Sequence, residues 1–293
     1  MSESRRTIDL PSTTISYLEW GGAASDAPSV VLLHGGGADS AELSWGEVGP
    51  ALARAGFRVI APDHPGFGRS PRAGWALTQE RLEHYVGDFV DGLGLDDYVI
   101  GGLSLGGGLT LGHLLGRPGS ARGAMLLGSF AIMPRLSDGP LSAVSQLGTW
   151  LLLRSGILDA MTRSYSRNAG AMERGLRQIV RNPEARTPEL VREVVAEAAR
   201  GDSLAAFGEW QRDQVGWRRL RTDYTDRLHS ISSPTLIVHG DRDGGVPISR
   251  ARRAARLLPH AGLIEVAGAG HWVQRDRPDI VIDAMLRFLE GLR

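Results

Sequence analysis

The sequence predicts an α/β fold, with a mostly parallel central sheet flanked by helices and a helical cap inserted before the last strands. Three observations predict it. Short apolar runs rich in β-branched residues recur toward both ends of the chain, amphipathic helical stretches separate them, and from about Pro134 to Asp226 the alternation gives way to several helical patterns in a row. Runs that are apolar throughout, rather than at every second position, suit strands covered on both faces. Strands of that kind alternating with helices build a parallel sheet wrapped on both sides.

In chain order the strand candidates are Ser29 to Leu33 (SVVLL), Phe57 to Ala61 (FRVIA), Tyr98 to Gly101 (YVIG), Gly123 to Leu127 (GAMLL), Thr235 to Val238 (TLIV) and Leu263 to Val266 (LIEV). The helical patterns lie between and after them. Thr78 to Leu93 sets Leu82, Val86, Phe89, Val90 and Leu93 on one stripe, Leu109 to Leu115 begins an apolar helix, and Pro278 to Leu289 puts Ile280, Ala284, Met285, Phe288 and Leu289 on one face. Within the insertion, Thr187-Pro188 reads as a helix cap and first-turn pair ahead of Leu190, Val191, Val194 and Val195. The expected division is therefore a core of residues 1–133 and 227–293 with a cap of residues 134–226. Trp150, Leu151, Leu152, Met161, Met172, Trp210 and Trp217 of the cap are candidates to line an apolar pocket, although most such residues in any protein simply pack their own element.

Composition narrows the function. Lys plus Arg and Asp plus Glu number 33 each, so no net field favours nucleic acid or an anionic membrane, and neither is expected as a partner. The absence of cysteine removes disulfides, thiolate metal sites and a cysteine nucleophile from consideration. Gly106-Gly107-Gly108 lacks the following Lys-Ser/Thr of a phosphate loop and the spacing of a dinucleotide loop, and no metal or other cofactor is expected. The two arginines of Met1 to Leu10 precede no apolar run of signal-peptide length, and no stretch is long enough to span a bilayer, so a cytoplasmic location is expected. A small-molecule substrate is the expected partner, with homo-oligomerisation left open.

Chemistry is signalled most strongly by Gly102-Leu103-Ser104-Leu105-Gly106, directly after one strand and directly before a helix. A serine on so sharp a turn adopts a strained backbone, tolerable only where the residues two before and two after it lack bulk. The turn lifts the hydroxyl out of the sheet, and the helix behind it aims its amide donors and positive dipole end at the same spot.

This strand, serine and helix resemble the α/β-hydrolase family, over a span from about Val30 to Leu289. Four further stretches carry the resemblance. His34-Gly35-Gly36-Gly37 follows the strand Ser29 to Leu33, where the family builds half of its oxyanion hole, and implies the amides of Leu105 and of Gly35 or Gly36 as the donors. Asp63-His64-Pro65-Gly66-Phe67-Gly68-Arg69-Ser70 looks like the family's structural D-x-x-G-x-G-x-S turn. Gly240-Asp241-Arg242-Asp243 places a carboxylate three residues after a glycine, which selects Asp243 as the acid with Asp241 as its rival. Gly268-Ala269-Gly270-His271-Trp272 follows the last strand and supplies the base, completing the chain order nucleophile, acid, base. The implied triad is Ser104, Asp243 and His271. The imidazole would remove the serine proton as the bond forms, and the carboxylate would fix its tautomer and steady the imidazolium. His34, Leu103 and Trp272 are the expected substrate contacts, with His34 first an organiser of its loop. His64, His84, His113, His229, His239 and His260 are assigned no role.

A serine at this position argues against the haloalkane dehalogenase and epoxide hydrolase branches, which use a carboxylate there. The glycines after His34 and the tryptophan after His271 are similar to the meta-cleavage-product hydrolases, which cut a carbon–carbon bond in dienoic keto acids. That group, however, carries asparagine and methionine where this chain has Leu103 and Leu105, and its carboxylate-clamp arginine has no counterpart in register, Arg192 falling close to that position but out of register. The preferred reading is a carboxyl-ester hydrolase acting on a small or medium apolar acyl substrate through an acyl-enzyme. Carbon–carbon hydrolysis of a dienoate is the alternative. A ligand receptor that holds its ligand without turnover, and a cofactor-free oxidation through a peracid, are the readings from other classes.

Overall fold

The computed structural model describes residues 3–22, 27–157, 168–200 and 202–293. Met161 lies outside these described residues. The strands are β1 (Ser4–Leu10), β2 (Thr13–Trp20), β3 (Ser29–Leu33), β4 (Val59–Pro62), β5 (Tyr98–Leu103), β6 (Gly123–Leu127), β7 (Thr235–Gly240) and β8 (Ala261–Val266). They form one eight-stranded sheet in the order β1-β2-β4-β3-β5-β6-β7-β8. From β4 to β8 every pairing is parallel, whereas β2 runs antiparallel to both β1 and β4.

The β1–β2 hairpin is a finding beyond the expected strands. β1 carries Arg5, Arg6 and Asp9 at the edge of the sheet, where one side of the strand meets water, so the strand lacks the apolar run that marks the interior ones. The interior strands behave as their composition demands. Val31 and Leu33 of β3 pack into one buried cluster with Ile100, Leu126 and Ile237, while Val30 and Leu32 pack into a second with Val99, Met125, Leu127 and Val238. Successive side chains point to opposite faces, and both faces are covered.

Helices α1 (Ala41–Trp45) and α2 (Val48–Arg54) follow β3, α3 (Gln79–Gly92) precedes β5, and α4 (Leu105–Gly116) leaves it. Thr78 caps α3 by accepting the Arg81 N–H, and Leu82, Val86, Phe89 and Val90 are buried along the expected stripe. Between β6 and β7 lie α5 (Ser142–Arg154), α6 (Ala169–Ile179), α7 (Pro188–Ala199) and α8 (Ser203–Gln214). Thr187 caps α7 with Pro188 in its first turn. The chain closes with α9 (Ile248–Leu257) before β8, then α10 (Val273–Asp276) and α11 (Pro278–Glu290).

Pairing register sets the site. Leu33 lies opposite Gly102, Leu103 opposite Leu127, and Gly240 opposite Val266, so the segments leaving β3, β5, β6, β7 and β8 emerge together at one edge of the sheet. In open α/β sheets that edge, at the carboxyl ends of the strands, is where ligands bind. No helix among the described residues is long and apolar enough to cross a membrane.

Candidate active site

Ser104 sits between β5 and α4 with φ 51° and ψ −112°, one of two non-glycine residues with positive φ among the described residues. A side chain on that backbone is strained and persists only where its surroundings over-determine it. Here they do. The Ser104 N–H donates to the Leu127 carbonyl at 2.9 Å, and its own carbonyl accepts from Phe130 at 2.9 Å and from Gly108 at 3.0 Å. A Cβ on Gly102 would run into the backbone of Gly106, and one on Gly106 into the carbonyls of Leu33 and His34, so both flanking glycines are required. The Ser104 hydroxyl makes no hydrogen bond among the described residues.

His271 and Asp243 meet directly. His271 Nδ1 lies 2.8 Å from Asp243 Oδ2 and 3.0 Å from Oδ1, while the Asp243 carboxylate also accepts the N–H groups of Gly245 at 2.7 Å and Val246 at 2.9 Å. Burial is the largest influence on Asp243 and pushes its pKa up. The neighbouring His271 and hydrogen bonds from His239 and His271 outweigh it and hold the carboxyl well below the usual carboxylate range. Asp241, the rival, is exposed and accepts the Gly268 N–H at 2.7 Å, which fastens the turn after β8 and leaves His271 to Asp243. The pair is also brought against the elbow. Gly128 follows the residue that accepts from Ser104, and a Cβ on it would lie 3.2 Å from both Asp243 Oδ2 and His271 Nδ1.

Of the two expected loop donors, Gly35 is corrected. Its N–H is already bonded to Asp39 Oδ2 at 2.7 Å and is buried, whereas Gly36 is part-exposed and its N–H has no acceptor among the described residues. Leu105 opens α4, so its N–H has no acceptor within the helix. Gly36 and Leu105 are thus two amides of these segments that have no acceptor among the described residues. Asp39 holds the loop from beneath, taking the Gly35 and Ser40 N–H groups and the Ser44 hydroxyl. Burial, set against those hydrogen bonds, raises its pKa to about 7.

The three expected substrate contacts are all buried. His34 is wholly buried, with Nδ1 on the Gly35 carbonyl at 2.7 Å and Nε2 accepting the His64 N–H at 2.9 Å, so neither nitrogen is available to a ligand. Burial lowers its pKa to about 3 and keeps the ring neutral. His64 returns the contact through Nε2 to the His34 carbonyl at 3.0 Å and bonds the Tyr85 hydroxyl through Nδ1, locking the loop after β3 to the turn after β4. Leu103 and Trp272 are buried in the cluster with Val30, Met125 and Val238, on the sheet face opposite the aromatic side chains described next.

Those aromatic side chains come from α8 and the loop after β6. Phe207 lies on Gly36, where a Cβ would collide with its ring. It stacks on Trp210 at 5.6 Å and 17°, and Trp210 meets Phe130 edge to face at 4.9 Å. Trp210 Nε1 donates to Gln79 Oε1 at 3.0 Å, which ties α8 to α3. Trp150 packs partly buried against this cluster and Met172 against the other, but Leu151 and Trp217 are more than half exposed, with the Arg218 guanidinium over the Trp217 ring. Arg192 is exposed on α7 and paired with Glu189 at 2.5 Å.

Sequence reasoning missed Phe207, Asp39, His239 and Asp276. His239 is buried in β7 and directs Nε2 to the Val246 carbonyl at 2.8 Å and to Asp243 Oδ2 at 3.3 Å. A histidine inside an otherwise apolar strand was the available signal. Among the described residues no group of His, Asp or Glu is arranged to hold a metal ion.

Such an elbow facing a His–Asp pair, on this sheet, defines the α/β-hydrolase class. Residues 28–278 match the α/β hydrolase fold family, and the chain belongs to it. It is 28% identical over 289 residues to a 2-hydroxy-6-oxo-6-(2'-aminophenyl)hexa-2,4-dienoic acid hydrolase of Metapseudomonas resinovorans, covering 97% of this chain and 90% of that protein. It is 30% identical over 246 residues to a 2-hydroxymuconate semialdehyde hydrolase of Pseudomonas putida, covering 83% and 80%. A meta-cleavage product hydrolase from Pseudomonas fluorescens IP01 shares the fold with a TM-score of 0.81 at 24% identity, covering 98% of each chain.

Proposed function

We propose that this hydrolase cleaves a carboxylic ester of a small or medium apolar acyl substrate, beneath a cap formed by residues 134–226. Ser104 is the nucleophile, His271 the general base and Asp243 the acid that orients it. Gly36 and Leu105 donate to the oxyanion. The observation that carries this reading is the buried Asp243 carboxylate on His271 Nδ1, which leaves Nε2 uncommitted, in a pair packed against Gly128 next to the residue that accepts the Ser104 N–H.

In the first step Ser104 Oγ bonds to the carbonyl carbon as His271 takes its proton. The ester C–O bond then breaks, and the alcohol leaves with that proton. Water, deprotonated by the same imidazole, releases the acid and restores the serine. The hydroxyl stands unpaired before substrate arrives, and such catalytic hydrogen bonds often tighten only in the complex. Phe207 on Gly36, with Trp210 packed on it and Phe130 on Trp210, supplies an apolar wall for the acyl group.

Hydrolysis of a carbon–carbon bond in a dienoic keto acid is the second reading, favoured by the activities of the Metapseudomonas and Pseudomonas relatives. It requires a cation for the substrate carboxylate, and Arg192 is exposed and engaged by Glu189. A steady-state comparison of short-chain aryl esters with a dienoate ring-fission product separates the two. Ester turnover that falls about 10⁴-fold or more in Ser104→Ala supports the proposal. Ester turnover no faster than that of Ser104→Ala, with the dienoate consumed, overturns it in favour of the second reading.

A further inference from the structure

We infer that Asp276 is a positioning residue that fastens the cap to the loop carrying the base, so that the placement of His271 depends on the cap being seated. The inference rests on the reading of His271 as the base. Asp276 ends α10 and is fully buried. Its Oδ2 accepts the N–H of Gly270 at 2.5 Å and of Arg181 at 2.8 Å, while its Oδ1 accepts the N–H of Asn182 at 2.6 Å. One carboxylate therefore joins the residue before His271 to two consecutive residues of the insertion, 95 and 94 positions away.

The other side of the histidine is tied to the same segment. Trp272 donates its N–H to the Ile179 carbonyl at 2.9 Å. A Cβ on Gly270 would sit 2.5 Å from that carbonyl, so the two backbones touch and only glycine fits. The Asn182 side chain adds a bond to the Asp276 carbonyl at 3.3 Å, and Arg186 braces the segment through the carbonyls of Val180 and Arg181. Residues on both sides of His271 are thus held by the strip 179–182, which continues directly from α6.

Asp276 forms no ion pair among the described residues, although Arg181, Arg242, Arg275 and Arg277 line the cleft beside it. Its charge is met by backbone N–H groups, which fix main chain rather than mobile side chains. A buried carboxylate bonded in this way is strongly directional, because any donor it loses leaves a buried group unsatisfied. Displacement of strip 179–182 would pull on Gly270 and Trp272 together and shift the imidazole between them. Small shifts of a proton-transfer group cost large factors in rate, which makes this linkage matter to chemistry.

Asp276→Asn tests it. The amide keeps one acceptor oxygen and turns an NH₂ toward at least one N–H donor, so the staple opens while the side-chain volume stays. Amide hydrogen exchange and steady-state kinetics on an aryl ester would be measured on the whole chain, with Ser104→Ala as the blank. The expected result is loss of protection at Gly270, Arg181 and Asn182 together, with β5 and β7 unchanged, and a fall in kcat of about tenfold or more with little change in KM. Lost protection at 181 and 182 alone, or an unchanged kcat, overturns the inference. Should the variant unfold, exchange on the wild-type chain still decides: similar protection at the three amides supports the linkage, and widely different protection refutes it. Wild-type turnover no faster than Ser104→Ala would instead overturn the reading of the triad, leaving the exchange result to judge the staple.

Discussion

The elbow and the histidine loop reach the same place by opposite means. Ser104 is fixed by backbone close to it in the sheet, through Leu127, Phe130 and the glycines at 102 and 106. His271 is fixed by two buried carboxylates, Asp243 on its ring and Asp276 on the N–H of Gly270 just before it, and by a strip of the insertion. A serine on a strand end inherits the rigidity of the sheet. A histidine on a loop has no such support and must be held by charge-assisted bonds to distant parts of the chain.

That contrast can be broken at either end. The largest effect is expected from Asp243→Asn, which keeps the shape but favours the wrong imidazole tautomer. We expect kcat on an ester to fall about a thousandfold or more with the fold intact by circular dichroism. Retention of most activity would show that His271 needs no carboxylate. Gly106→Ala attacks the elbow instead. Its methyl would enter the Leu33 and His34 carbonyls, and denaturant unfolding should report a loss of about 3 kcal/mol, because sheet backbone has little room to yield. A loss near zero would mean that the elbow is softer than its contacts imply.

The smallest effect, and the one that sharpens the comparison, concerns Asp39 beneath the Gly35 loop. Its pKa is raised from an ordinary carboxylate value to about 7 by burial. Between roughly pH 4 and 7 the unfolded chain has released this proton and the folded chain retains it, so wild-type stability falls as pH rises through that window. Asp39→Asn cannot titrate. The stability of the wild type relative to this variant should therefore decline across the window, on the order of 1 kcal/mol per pH unit, measured by urea unfolding. A difference independent of pH would show a carboxylate ionised throughout. The contrast with Asp243, held low by its histidines, separates a carboxylate that carries charge at the site from one that supports a loop.

Much of the candidate site was legible because its chemistry demands residues in fixed local patterns. Gly102, Ser104 and Gly106 are needed together for steric reasons that act within five residues, and Asp243 and His271 follow strands whose apolar runs announce themselves. What was misread depends on facing. Trp217 and Leu151 suited a pocket by composition, yet both point to solvent, since being apolar does not say which face of a helix meets a partner. Gly35 and Gly36 are identical as letters, and only the Asp39 side chain tells the occupied amide from the available one. Asp276, five residues beyond His271, has no pattern to distinguish it from any other helix carboxylate.

By itself the sequence determined the alternation of strands and helices and the strained turn at Ser104, because each follows from interactions between residues near one another along the chain. The tertiary structure alone decided which glycine amide stays unpaired, which aromatic rings stand over the loop, and how Asp276 binds residues 181, 182 and 270 to one another. Those outcomes turn on hydrogen-bond saturation and packing between segments distant in sequence, quantities that exist only once the chain has closed on itself.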